Sequence, residues 1–126
     1  MKINTLLLLS FIALLSACGE SVQNARQEAS QPVIFPDYVG VTIPVGIAPL
    51  NFCMDDESAL LVDAVIRDDK GHELHGQGKE TTDFDIDDWH ELIAQNAGGR
   101  LQVTVSAKMQ DGWHTYQPFE ISVSND

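Results

Sequence analysis

The chain has 126 residues, seven basic against nineteen acidic, and a formal net charge of −12. That length suits one ordinary domain and is short for two independent cores. Such acidity, with no basic cluster to offset it, argues against binding phosphate backbones or docking electrostatically on anionic lipid headgroups.

Met1-Lys2-Ile3-Asn4 makes a short positive start, and an apolar run of about ten residues follows, from Leu6 to Leu15. The run is too short to span a bilayer but matches the core of a signal peptide. Leu15-Ser16-Ala17-Cys18-Gly19 then resembles the lipobox of bacterial lipoproteins: a Leu, two small residues, and a Cys followed by another small residue. The resemblance implies a signal peptide over residues 1–17, cleavage before Cys18, a diacylglycerol thioether on its sulfur, and an acyl chain, palmitate or similar, on the new amine. Two or three acyl chains anchor durably where one does not. Gly19 in place of Asp, by analogy with enteric sorting rules, points to the outer membrane. Removing this leader takes away Lys2 and no acid, so the remainder is one unit more negative.

Residues 18–31 are polar and read as a lipidated tether with a flexible reach of roughly 20 Å. From residue 32 to 126 the pattern predicts one folded domain. Pro32, Pro36, Pro44 and Pro49 interrupt an apolar, β-branched stretch, which excludes helix and central-strand pairing and predicts an extended segment along an edge. Cys53, at its end, is expected to be a buried structural thiol, because no base or orienting group accompanies it. Ala59–Arg67 and His72–Gln77 flank Asp68-Asp69-Lys70-Gly71 and predict a hairpin. Thr82–Ile86 alternates apolar with acidic residues and predicts a short strand. Trp89, Leu92, Ile93 and Asn96 fall at i, i+3, i+4 and i+7 and predict a helix over 87–96, capped by Asp85 or Asp87 and ended by Gly98 and Gly99. Leu101, Val103, Val105 and Ala107 alternate along a strand that turns at Gln110-Asp111-Gly112. Trp113–Tyr116 returns, and Phe119, Ile121 and Val123 form a last strand. Short strands with one inserted helix predict a mainly β fold: an immunoglobulin-like antiparallel β-sandwich, with a small, partly open barrel as the alternative.

Ile34-Phe35-Pro36-Asp37-Tyr38, Val41-Thr42-Ile43-Pro44 and Ile47-Ala48-Pro49-Leu50-Asn51-Phe52 resemble the N-terminal domain of Gram-negative lipoproteins that carry a TolB-like β-propeller. Some members bear the label "cytochrome c biosynthesis protein". Trp89 with Leu92, Ala97-Gly98-Gly99, Trp113, Tyr116-Gln117-Pro118-Phe119 and Ile121-Ser122-Val123 extend the likeness over nearly all of residues 32–123. It departs from the pattern at Gly46, where the family often has Asn. The resemblance implies a domain that precedes a propeller, here without the propeller. It brings no catalytic residue, and the chain has no Cys-x-x-Cys-His for haem attachment.

Candidate chemistry is sparse. Asp83, Asp85, Asp87 and Asp88 open like a calcium loop, but Asp88 stands where an EF-hand needs Gly, and Ala94 where it needs Glu. His72 and His75 sit three apart, which on a strand points them to opposite faces and away from a shared ion. Trp113, His114 and Tyr116 are the candidate ligand platform for a glycan or peptide. No Gly-x-Ser-x-Gly elbow is present. These residues predict no cofactor and no catalytic set. The expected function is a membrane-anchored binding or assembly module with an envelope protein or glycan as partner. The alternatives are an envelope hydrolase, using Asp63 with His72 or His75, and a structural spacer for a missing propeller.

Overall fold

A computed structural model describes residues 19–125. The predicted signal peptide and Cys18 lie outside the described residues. The chain forms β1 (Arg26–Gln27), β2 (Ile34–Phe35), β3 (Thr42–Ile43), β4 (Cys53–Met54), β5 (Leu61–Arg67), β6 (Glu73–Gly78), α1 (Ile86–Gln95), β7 (Arg100–Met109), β8 (Gly112–Thr115) and β9 (Phe119–Val123). The fold is mainly β with one inserted helix, as the alternation predicts.

The main sheet has seven strands. Its spine runs β1-β8-β7-β5-β6, and β9 joins β7 and carries β3. The ten-residue β7 forks. Its first half pairs with β9, from Arg100 opposite Ser122 to Val103 opposite Phe119, and its second half pairs with β8, from Ser106 opposite Thr115 to Met109 opposite Gly112. These pairings are antiparallel, as are those of β5 with β6 and β7. The two short outer strands depart from this: β1 on β8 and β3 on β9 are parallel. A separate two-stranded ribbon pairs β2 with β4, antiparallel.

Strand alternation sends every second side chain of the main sheet inward. Val62, Ala64 and Ile66 of β5, Leu101, Val103 and Val105 of β7, and Phe119, Ile121 and Val123 of β9 all join one core. The covering layer is the helix, the ribbon and the proline-punctuated segment. From the helix come Trp89, Leu92 and Ile93. Ile34, Ile43, Leu50 and Phe52 come from the segment. The Trp89 indole N–H donates to the Ile47 carbonyl at 2.9 Å, stitching helix to segment without a regular ladder.

Two predicted details are corrected. Thr82–Ile86 is not a strand. Its alternation is real at Thr82 and Phe84, both buried, but the segment has no strand partner among the described residues: Thr82 N–H donates to the Phe52 carbonyl, and the Asp85 carbonyl already accepts from the Trp89 N–H to start the helix. Asp85 is the cap, accepting from the Asp88 N–H, so Ile86 opens the helix and is 60 % exposed. The second correction is Cys53, which is half-buried and donates from Sγ to the Phe35 carbonyl at 3.4 Å.

Phe84 explains Gly76. A Cβ on Gly76 would lie 2.5 Å from the Phe84 ring, so only glycine lets that ring lie over β6 and tilt against Trp89, with centroids 5.9 Å apart.

Candidate functional site

The most organised polar region is the outer face of the main sheet, where the segment read from composition as a free tether is docked. The register places Asp63, Gln77 and Ser106 side by side across β5, β6 and β7, all pointing away from the core. Asp63 is buried at 3 % exposure in an otherwise apolar strand. Its carboxylate accepts from the Gln77 side-chain amide at 2.9 Å and is hydrogen-bonded to Nε2 of His75, whose ring is half-exposed. Gln77 in turn clasps the backbone of Glu20: the Glu20 N–H donates to Gln77 Oε1 at 3.1 Å, and Gln77 Nε2 donates to the Glu20 carbonyl at 2.7 Å. The Glu20 carboxylate pairs with the Lys108 ammonium of β7. Residues 19–31 thus form a strap.

The strap is fastened again at the sheet edge. Arg26 and Gln27 lie parallel to His114 and Thr115, and the Glu28 N–H donates to the Thr115 carbonyl at 2.9 Å. The Gln117 N–H donates to the Ser30 carbonyl, and its side chain donates to the Glu28 carbonyl, each at 2.9 Å. The His114 ring lies between two carboxylates, with Nδ1 2.8 Å from Glu28 and Nε2 2.7 Å from Asp111. Its hydrogen bonds to Asp111 and Glu28 outweigh the cost of burial and raise its pKa above the ordinary imidazole value. The same contact with His114 lowers the Asp111 pKa.

The predicted platform of Trp113, His114 and Tyr116 is therefore not an exposed aromatic surface. Trp113 is 6 % exposed and stands opposite Lys108, on the strap side and outside the main core cluster. His114 is committed to its two acids. The half-buried Tyr116 has its pKa raised, chiefly by desolvation and then by the charges of Glu28 and Asp56.

Asp83, Asp85, Asp87 and Asp88 are exposed around the helix start, and Asp85 is spent on its cap. Among the described residues no group of three or more His, Cys, Asp or Glu side chains is placed to hold a metal ion. His72 and His75 contact different acids. His72 Nδ1 meets Asp68 at 2.7 Å, and His75 meets Asp63.

Asp68 is a structural hub. Its side chain is fully buried and accepts from the Asn96 amide at 3.0 Å, from the backbone N–H groups of Lys70 and His72, and from the His72 ring. Burial pushes its pKa up, but these hydrogen bonds win and hold it well below the usual carboxylate range. Asn96 also donates to the Leu92 carbonyl, so the hub ties the β5–β6 turn to the end of the helix. Every buried side-chain nitrogen and oxygen among the described residues has a partner.

The clefts are open and shallow. One of about 730 Å³ runs between Ala48–Asn51 and Gln77–Phe84. Another, of about 470 Å³, lies between His72 and the helix residues Asp88, Glu91 and Gln95. Neither gathers the Asp63–His75 pair. Of the exposed apolar side chains, Ile86 lines the first cleft, while Val33 and Phe35 on the ribbon and Leu60 before β5 lie outside both. Among the described residues no helix is long and apolar enough to cross a membrane. No family model, no curated protein and no solved structure matches this chain.

Proposed function

We propose that this chain is an envelope lipoprotein, acylated on Cys18, whose β-rich domain is a binding or assembly module held at a membrane, the outer membrane by the residue after the cysteine. The observation that carries the anchor is Leu15-Ser16-Ala17-Cys18-Gly19 behind a positive start and a ten-residue apolar run. The module reading draws support from two features. β6 is the last strand of the sheet order, with no neighbouring strand on its far side among the described residues. The ribbon turns Phe35 outward at 70 % exposure, beside Val33 at 65 %. An edge strand and an exposed aromatic are common means of contact with a protein or glycan partner. The resemblance to propeller-bearing lipoproteins fits a partner in the same compartment.

A second reading, an envelope hydrolase, has one observation in its favour. A buried carboxylate, Asp63, orients an exposed imidazole, His75, as a general base requires. The pair lies on a sheet face rather than in either cleft, which favours the binding module.

The test is mass spectrometry of the full chain recovered from membranes, combined with mild crosslinking. Diacylglycerol and acyl additions on Cys18, absent in Cys18→Ser, together with a specific crosslinked partner lost on Phe35→Ser, are the expected results. An unacylated mature protein refutes the anchor. Hydrolysis of an envelope substrate, abolished by His75→Gln, refutes the module reading.

A further inference from the structure

We infer that the strap-bearing face of the main sheet lies against the lipid bilayer, with the ribbon turned away from it. This rests on the anchored reading above and specifies the orientation of the anchored domain.

A free polar linker of residues 18–31 would let the domain tumble at a distance. The structure instead fixes the chain at Glu20, through both backbone groups to Gln77 and through the carboxylate to Lys108. Consecutive Cα atoms are about 3.8 Å apart, so Cys18 is within about 8 Å of a residue pinned to the outer face. Acyl chains on Cys18 therefore enter the bilayer next to β6 and β7, and the face carrying Asp63, Thr104 and Lys108 meets the headgroups.

The chain is strongly acidic, yet on this face Glu20 pairs with Lys108, Glu73 with Arg67 at 3.2 Å and Glu120 with Arg100 at 3.7 Å, Asp63 meets His75, and Glu28 and Asp111 share His114. The densest group of acids lies on the covering layer: Asp83, Asp85, Asp87 and Asp88 at the helix start. A domain oriented strap-down places its best-balanced face at the membrane and the acids of the helix start away from it. The face is polar, so it contacts headgroups and does not insert.

The orientation also assigns a direction to the ribbon. Ile34 points into the core and Phe35 points the opposite way, out of the covering layer. Phe35 and Val33 are then presented to the compartment rather than to the lipid.

The experiment uses the acylated full chain in vesicles of phosphatidylethanolamine and phosphatidylglycerol that carry a headgroup nitroxide quencher. In a Cys53→Ser background, a fluorophore is attached to Thr104→Cys on the strap face or to Phe35→Cys on the ribbon. Quenching at residue 104 several-fold stronger than at residue 35 is expected. Adding Gln77→Ala and Lys108→Ala opens the Glu20 clasp and frees the chain ahead of β1, and the contrast is expected to collapse. Equal quenching at both positions in vesicle-bound protein overturns the orientation and leaves the anchor standing. A contrast that survives opening of the Glu20 clasp overturns that clasp as its cause. Protein without acyl chains, which stays in solution, overturns the anchor and the orientation with it.

Discussion

Two segments each lay a short parallel strand on the main sheet, and they are held by opposite means. The proline-punctuated segment adds β3 to β9 and buries Ile34, Ile43, Leu50 and Phe52 in the core. The strap adds β1 to β8 and buries none of its own side chains. Its fastenings are backbone bonds, glutamine amides and ion pairs. Apolar burial contributes kilocalories per side chain and does not titrate. Exposed ion pairs contribute little, and their strength varies with salt and pH. One segment is thus part of the fold, while the other is a removable fitting on it.

The sharpest way to test this contrast is to damage each segment in turn. Phe52 is 1 % exposed and packs edge-on against Tyr38, with centroids 6.4 Å apart. Phe52→Ala should cost about 3–5 kcal/mol in chemical denaturation, enough to unfold a marginal domain. A loss under about 1 kcal/mol would mean that the proline segment is as dispensable as the strap.

Asp68 tests whether a polar fastening can act as part of the core. Its folded pKa is depressed, so its stabilising contribution is present above the unfolded value of about 3.9 and is lost as pH falls through the folded value. Asp68→Asn should lower the denaturation midpoint at pH 7 and flatten the acid limb below about pH 4. An unchanged acid limb would remove the hub from the account.

The strap should respond to the opposite side of the pH scale. His114 has a raised folded pKa, so its contribution is complete below the unfolded value of about 6.5 and fades as pH rises through the folded one. The charged and titratable groups around it are Glu28 and Arg26 on the strap, Asp111 in the turn, and Tyr116 beyond β8. After correction for intrinsic rates, amide exchange at Glu28 should accelerate across that interval, while β5 amides should not change. His114→Gln should remove the step.

The smallest effect is expected at the other fastening. Gln77→Ala with Lys108→Ala should change global stability by about 0–1 kcal/mol. The same change should shift the backbone resonance of Glu20, which wild type holds against Gln77.

The parts of the fold that were legible in the sequence are those where side-chain chemistry repeats. Leu101, Val103, Val105 and Ala107 recur at period two, and Trp89, Leu92, Ile93 and Asn96 at the helical period. All eight are buried. The segment Thr82–Ile86 misled because alternation reports which side chains face inward, not whether the backbone has a partner. The strap was illegible for the complementary reason. A two-residue parallel pairing is made by backbone groups and leaves no pattern in Arg26 and Gln27, which are both exposed. One signal was available: Asp63 interrupts an apolar strand at an outward position, and a buried acid there needs donors from something covering the sheet. His114 reads in the sequence as a ligand candidate, and only the docked Glu28 shows why its ring is occupied.

The strap also gives the molecule a mechanical fuse. Tension applied between residue 18 and the body of the domain first loads the Glu20 clasp, then the two rungs of β1, and only afterwards Ile34 in the core. The dozen residues that peel away before that point span up to roughly 40 Å at full extension. A membrane undulating against a partner held at a fixed height would draw on this slack, and the folded layers would stay unloaded until it ran out.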